Sequence, residues 1–367
     1  MKARIEKGRL SSAIQSIMRA VSNRSTQPIL GNTLIEFEEG YLRFTGTDLE
    51  IGLRTEVEAQ VESTGGVSVP AKILFEIISN LPGGEIELYQ EKENELLVKQ
   101  GKSKYSIRTL PASDYPLFPE LDKGDICKIS ASVLQRAIRQ VIFASSQDET
   151  RPILTGILLE VDEENINLAA TDGHRLALRA ISLPEQAREQ TSIIIPGRAL
   201  NELSRLLSSG EGEVTIRVLS NQIAFIYDRM VLVSRIIEGK YPNYRQVIPS
   251  NLPYGTIASR EEMSKAVKGA HILAKEGSNV VRMSFSADRI AVTAVTQDVG
   301  DVYEEVSVQY DGEEMDVAFN ARYLLDILSI LDDEMLQIKT GSPLSPAIIR
   351  PVGDEGYTYV VMPVKMG

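Results

Sequence analysis

Apolar residues recur at helical spacing at six places along the chain. Leu10, Ile14, Ile17, Met18 and Val21 fall on one helical face, as do Leu134, Ala137, Ile138, Val141 and Ile142. The pattern predicts helices over 9–22, 71–81, 131–144, 197–208, 259–275 and 320–331. Ser259 through Glu262 has capping-box spacing, in which the serine and glutamate satisfy orphan backbone donors. The second helix of each pair follows Pro70, Pro196 or Asn320, and a proline near a helix start costs nothing through its missing N–H. Between the helices lie short alternating runs such as Leu42 to Thr47, Ile86 to Tyr89 and Val214 to Val218, broken at Gly65-Gly66, Gly83-Gly84 or Asn221. These read as antiparallel strands joined by turns. The connections are too short for parallel crossovers, so the expected class is α+β with few helices and much sheet.

The pattern repeats. Thr26-Gln27-Pro28-Ile29-Leu30 returns as Thr150-Arg151-Pro152-Ile153-Leu154, and Thr47-Asp48 returns as Thr171-Asp172, both at an offset of 124. Val69-Pro70-Ala71-Lys72 answers Ile195-Pro196-Gly197-Arg198, and Asp114-Tyr115-Pro116 answers Lys240-Tyr241-Pro242. A fainter third copy keeps the strand Ile290 to Thr296 and the helix start at Phe319-Asn320-Ala321-Arg322, but lacks the Pro-Ile-Leu element. Internal repetition of this kind marks homologous structural units. Three domains are expected, near 1–120, 121–249 and 250–367.

The chain has 367 residues and a net charge of −12, an ordinary globular composition. Acidity of this size suggests no polyanion as partner until its distribution is considered. The six helical segments together carry about +7, so the remainder is more acidic than the total implies. Their cations include Arg9, Arg19, Arg136, Arg139, Arg198, Arg205, Lys265 and Lys268, with Arg24 just beyond the first helix. A side of the molecule built from such helices would hold a polyanion through phosphate contacts that ignore sequence. The bland alternative, that Lys and Arg simply suit helix surfaces, has equal weight on this evidence alone.

Catalytic and cofactor motifs are missing: there is no phosphate-binding glycine loop, no dinucleotide fingerprint, no GxSxG and no HExxH. The single cysteine, Cys127, excludes an internal disulfide framework and a CxxC metal site. Only His174 and His271 are available as imidazoles, and Asp172 with His174 is the one candidate acid–base pair, which would make a hydrolase. No nucleophile signature accompanies it. The opening MKARIEKGRL has no apolar run after its charged head, and no stretch approaches membrane-spanning length, so neither a signal peptide nor a membrane span is expected and the default compartment is the cytoplasm. No cofactor and no metal are expected.

The segment Ala169-Ala170-Thr171-Asp172-Gly173-His174-Arg175-Leu176-Ala177 and the end Tyr359-Val360-Val361-Met362-Pro363-Val364-Lys365-Met366 closely resemble the bacterial DNA polymerase III beta subunit family, the sliding clamps. Pro28 to Asn32, Gly46 to Glu50, Lys240 to Tyr244 and Phe319 to Leu324 extend the resemblance over essentially the whole chain. It implies a non-catalytic processivity factor: a head-to-tail homodimer whose six domains close around duplex DNA without reading sequence. Its partners would be DNA polymerases, a separate ATP-driven clamp loader and other proteins bearing a short clamp-binding motif, at the nucleoid. A peptide-binding repeat scaffold that never encircles DNA is the competing class.

The resemblance also assigns residues. The motif pocket maps onto Leu154, Thr171, Gly173, His174, Arg175, Leu176, Pro242, Val247, Val360, Met362, Pro363, Val364 and Met366. A soft methionine and aliphatic surface suits Leu and Phe anchors, and burying two of them yields about 3–6 kcal/mol before ordering costs. The DNA-facing set is Arg24, Arg136, Arg139, Arg198, Arg205, Lys265 and Lys268. For the dimer seam, a basic cluster of Lys102, Lys104 and Arg108, with apolar Leu74 and Ile78, is matched to Asp301, Glu304 and Glu305 with Ile272 and Leu273. A head-to-tail contact needs two different, complementary surfaces of this kind.

Overall fold

The computed structural model describes residues 1–22, 27–121, 124–208, 210–297 and 299–365. Seven α-helices occur among the described residues: α1 (Lys7–Ile17), α2 (Ala71–Asn80), α3 (Ala131–Ile142), a single turn α4 (Pro152–Thr155), α5 (Gly197–Leu206), α6 (Arg260–Ala274) and α7 (Ala321–Ile330). The six long ones lie where the apolar periodicity placed them. Each ends one to five residues short of its expected limit, because terminal residues satisfy their N–H groups by tighter bonds. In α1 the difference matters. The helix stops at Ile17, and Arg19 and Ala20 donate instead to Ser16 and Ile17, so Arg19 lies beyond it. Ser259 caps α6 by accepting from Glu262 N–H, as its spacing predicted.

The chain condenses into two compact units, 1–134 with 202–236, and 135–201 with 237–367. The second sequence repeat is thus divided, and strand pairing is the reason. In the first unit a nine-stranded antiparallel sheet runs through Asn32–Glu38, Tyr41–Thr47 and Ile51–Glu58, then continues into Met230–Arg235, Gln222–Tyr227 and Glu213–Val218 of the second repeat. A separate five-stranded sheet contains Lys2–Glu6 and ends on Ser103–Arg108. In the second unit a twelve-stranded sheet repeats the arrangement. Gly156–Val161, Asn165–Thr171 and Arg175–Ser182 continue into Tyr357–Val361, Ala347–Pro351 and Met335–Thr340 of the third repeat. The strand at each junction is therefore the last of its repeat, laid against the fourth strand of the repeat before it.

Helices α1 and α2 pack together in the first unit, and α6 and α7 in the second. The α1 core face is Leu10, Ala13, Ile14 and Ile17, and α2 contributes Leu74 and Ile78, both with 0% exposure. The landmark Gly46 has a packing role here. A Cβ at that position would stand 2.7 Å from Ile17 Cγ2 and 3.1 Å from the Ile17 carbonyl oxygen. Gly46→Ala is therefore expected to lower stability by about 1–3 kcal/mol, the usual cost of overpacking. The denaturant midpoint should fall with the slope unchanged. An unchanged midpoint would show that α1 has room to move.

Candidate peptide site, helix surfaces and sheet edges

The turn between the strands Asn165–Thr171 and Arg175–Ser182 is built by its own side chains. Thr171 Oγ1 donates to the Arg175 carbonyl (2.6 Å) and accepts from Gly173 N–H (3.1 Å). Asp172 Oδ1 accepts from the N–H groups of His174 (2.8 Å) and Arg175 (3.1 Å), an Asx turn. Gly173 takes φ +95°, a conformation that favours glycine. Asp172 is thereby committed to the turn and to Arg175 Nε (3.0 Å), and its two oxygens orient no imidazole. That removes the acid–base pairing of Asp172 with His174, and with it the basis for a hydrolase. Cys127 offers no nucleophile either, since burial pushes its thiol up to about 11.

Beneath the turn lies a cluster of Leu158, Ala169, Leu176, Ile194, Tyr241, Tyr244 and Val360, with Ile153 and Ile248 packed against it. Leu176 and Val360 face each other across the sheet. Both are buried, so they form a floor. Tyr241 hydroxyl accepts from Thr171 N–H (3.1 Å) and Tyr244 hydroxyl donates to Glu160 (2.7 Å), pinning the segment that carries Pro242 and Val247. Burial pushes both phenols well above the usual range, so both stay protonated. Met362 N–H donates to the His174 carbonyl (2.9 Å) and Val364 N–H to the Ala318 carbonyl (2.8 Å), which holds the end of the chain alongside the turn. Around the buried floor, Val247 and Met362 are 50% and 40% exposed, and Leu154, Pro363 and Val364 are half-buried. Large apolar side chains left open beside a buried floor, with backbone polar groups at the rim, suit an extended peptide bearing apolar anchors.

Two members of the expected pocket set need correction or exclusion. Arg175 points inward. Its side chain is 9% exposed, pairs with Asp172 and Asp326, donates to the Phe143 carbonyl (2.6 Å) and stacks 4.4 Å from the Tyr323 ring. It shapes the turn from within, with Nε and both terminal nitrogens bonded to groups of this chain. Met366 lies outside the described residues.

The helix cations divide into paired and unpaired. Arg136 meets Asp333 (3.3 Å), Arg205 meets Glu202 (2.9 Å), Arg19 meets the same Glu202 (3.0 Å) and Arg9 meets Glu58 (3.0 Å). Arg139, Lys265 and Lys268 are exposed and carry no ion pair among the described residues. Arg198 is exposed on the first turn of α5. Arg24 lies outside the described residues.

The seam residues need a larger correction. Leu74 and Ile78 are completely buried in their own domain and have no surface to offer a partner; the exposed apolar residue of α2 is Ile73. Helical periodicity found the apolar stripe of α2 but could not say that its own core already covered it. Ile272 is 63% exposed and Leu273 is half-buried. Lys104 and Arg108 are exposed on Ser103–Arg108, the terminal strand of its sheet, and Lys102 is exposed in the turn that leads into it. Asp301, Glu304 and Glu305 lie on Gly300–Tyr310, which pairs along its length with Arg289–Thr296 but on its other side only at Val308–Tyr310. Both strands therefore present an open edge, the first basic and the second acidic. The edges themselves were not foreseen from the sequence.

No group of metal-ligating side chains occurs among the described residues, and no helix is long and apolar enough to cross a membrane. Three repeats with helices packed on antiparallel sheet, sheets continuing across the repeats and an open apolar surface at a junction match the class of DNA clamps. Family comparison gives the assignment. The DNA polymerase III beta subunit models for the N-terminal, central and C-terminal domains match residues 1–119, 128–243 and 245–365. A Staphylococcus aureus protein named beta sliding clamp is 31% identical over 375 residues, covering 100% of this chain and 99% of the relative. The crystal structure of the DNA polymerase sliding clamp from Bacillus subtilis superposes with a TM-score of 0.96 at 31% identity, with full coverage of both chains. A Pseudomonas aeruginosa sliding clamp bound to griselimycin matches with a TM-score of 0.94, also at 31% identity and full coverage. The chain belongs to the DNA polymerase III beta subunit family.

Proposed function

We propose that two copies of this chain close head to tail into a ring that encircles duplex DNA and tethers polymerases to it. As a member of the sliding-clamp family it is a processivity factor and a non-catalytic subunit of the polymerase holoenzyme. The observation that carries ring closure is the strand succession. The first repeat's fourth strand, Ile51–Glu58, is completed by Met230–Arg235 of the second, and the second's Arg175–Ser182 by Tyr357–Val361 of the third. The third repeat's Gly300–Tyr310 lacks such a partner over most of its length, while the first repeat's Ser103–Arg108 has an open edge. Continuing the same rule between two chains joins these edges. Carrying the register over from Gly52 opposite Val233 and Leu176 opposite Val360 places Ser103 opposite Tyr303. Lys102 and Lys104 then run beside Asp301, Glu304 and Glu305, an arrangement of opposite charges that favours one head-to-tail register. The domains near 1–120, 121–249 and 250–367 supply the six segments of the ring.

Arg139, Lys265 and Lys268, with Arg136, Arg198 and Arg205 exchanging their present partners for phosphate, form the DNA-facing set. Surface pairs of this kind are worth little in stability, so exchange to phosphate is easy. The Leu154, Pro242, Val247, Met362, Pro363 and Val364 surface over the Leu176 and Val360 floor takes the apolar anchors of partner motifs, with Thr171, Gly173 and His174 at its rim. Weak, exchangeable motif binding in the micromolar range, about −8 kcal/mol, suits a surface shared by polymerases and a clamp loader. Action at the nucleoid follows from that role.

The test is topological. Loaded onto a nicked circular duplex by an ATP-driven clamp loader, the protein is expected to stay bound through 0.5 M salt and to leave once the circle is linearised. Retention by phosphate contacts alone would be lost in salt on either template. Release from the closed circle at high salt would sink the ring and leave the peptide-binding scaffold.

A further inference from the structure

The second long helix of each repeat carries a carboxylate at its sixth residue: Glu76 in α2, Glu202 in α5 and Asp326 in α7. The first helices begin their buried stripes at Leu10, Leu134 and Met263, and nine residues further on stand Arg19, Phe143 and Ile272. Where two repeats meet within the chain, these two positions face each other. At the first meeting Arg19 reaches Glu202 (3.0 Å). At the second, the Phe143 carbonyl and the Asp326 carboxylate accept from one guanidinium, that of Arg175. Seven residues back from Phe143 and seven on from Asp326, Arg136 meets Asp333 (3.3 Å), so the helices of a meeting run antiparallel.

In the ring the third meeting falls between chains, and its helices are α6 of one chain and α2 of the next. The same register sets Ile272 opposite Glu76, Lys275 opposite Ile73 and Glu276 opposite Lys72. Ile272 and Ile73 are 63% and 49% exposed, and the four charged residues are exposed as well. Their charges are little used within the chain. Lys275 approaches Glu276 only to 3.9 Å, and Glu76 and Lys72 carry no ion pair among the described residues. Helical side chains lean toward their own N-terminus, so in antiparallel helices Glu76 and Lys275 lean toward each other. Lys268, opposite Asn80, leans away. Glu304, the other carboxylate close to this face, packs against Gly269 from its strand.

We propose that α2 and α6 of successive chains pack antiparallel at the seam, Ile272 against Ile73 and Ile77, with Glu76 paired to Lys275 and Lys72 to Glu276. The inference rests on the ring reading and adds to its strand edges a contact made by helices. Its charges are complementary, one of each sign on each helix, and they hold the head-to-tail pairing in a single register.

The test is the solution mass of the full-length protein over a dilution series, for Glu76→Lys and Lys275→Glu separately and mixed. Each variant alone is expected to dissociate at least about tenfold more readily than wild type. Mixed in equal amounts, the two are expected to recover the wild-type dimer, because in a head-to-tail mixed ring one seam carries both substitutions and the other carries neither. Mixing would not recover a misfolded variant. Variants that dimerise as tightly as wild type, or a mixture no tighter than either variant alone, overturn the helix contact and leave the ring standing on its strand edges. Wild-type protein that stays monomeric at micromolar concentration overturns both.

Discussion

Reversing Lys102 and Lys104 to glutamate is expected to weaken the dimer by at least about a hundredfold. The open edges contribute main-chain hydrogen bonds whatever their side chains, so closure itself is not specific; charge selects the edge. In the proposed ring the strand Ser103–Arg108 and its turn would bring Lys102, Lys104 and Arg108 toward Asp301, Glu304 and Glu305 of the next chain. Two reversals replace attraction by like-charge contact, which costs several kcal/mol across an interface, and each 1.4 kcal/mol is about tenfold in affinity. Competing interactions within the chain are all at the surface: Lys104 reaches Glu91 at 3.5 Å and lies 5.5 Å from the Tyr89 ring, and Glu305 accepts from the Tyr303 hydroxyl at 2.7 Å and reaches Arg289 at 3.7 Å. Mass measurement at nanomolar protein should therefore show monomers for the double variant. Adding Asp301→Lys and Glu304→Lys should restore the dimer, which a merely misfolded variant would not do. About 1 M salt, with a Debye length near 3 Å, should narrow the difference between variant and wild type. A dimer indifferent to the reversal would remove the charge selection. The register is tested separately: Ser103→Cys with Tyr303→Cys should oxidise to a covalent dimer only if those residues are opposed.

The parts of the molecule that were legible in the sequence are those set by local chemistry. Thr171-Asp172-Gly173 spells its own turn, because each side chain bonds within four residues, and the same letters at Thr47-Asp48 revealed the repeat. Helix positions followed from apolar spacing. What could not be read was how each apolar or charged face would be used. Leu74 and Ile78 have the same spacing whether they meet a partner or their own core. Arg175 looks like a binding residue until its guanidinium is found between Asp172, Asp326 and two aromatic rings, a neighbourhood assembled from residues as distant as 326. The full likeness of the two junction turns was hidden for a related reason: Leu49 and Glu50 do not resemble Gly173 and His174, and only the hydrogen bonds show that they occupy the same turn.

Arg175→Ala is expected to destabilise the second unit by about 3–5 kcal/mol, the cost of removing one partner from a buried ion pair. The loss arises from what the guanidinium leaves behind. Asp172 and Asp326 would lose their shared cation, the Phe143 carbonyl would lose a donor, and the rings of Tyr323 and Phe143 would face a void. Because Arg175 begins the strand that pairs with Tyr357–Val361, the weakening should be greatest where the second repeat joins the third. Hydrogen exchange reads this directly: amides of Arg175–Ser182 and Tyr357–Val361 should exchange about a hundred- to several thousandfold faster, while Ile51–Glu58 and Met230–Arg235 keep their protection. Arg175→Lys should recover little, since a single ammonium cannot bridge two carboxylates and stack on a ring as a planar fork does. Arg175→Met combined with Asp172→Asn and Asp326→Asn should recover much more, because it removes the charges together. Unchanged exchange in the single variant would mean that the inward pairing contributes nothing, and would return Arg175 to the peptide surface. If the prediction holds, any loss of peptide binding by Arg175→Ala reflects a loosened turn beneath Met362 and His174, and stabilising that turn by other means should restore the binding.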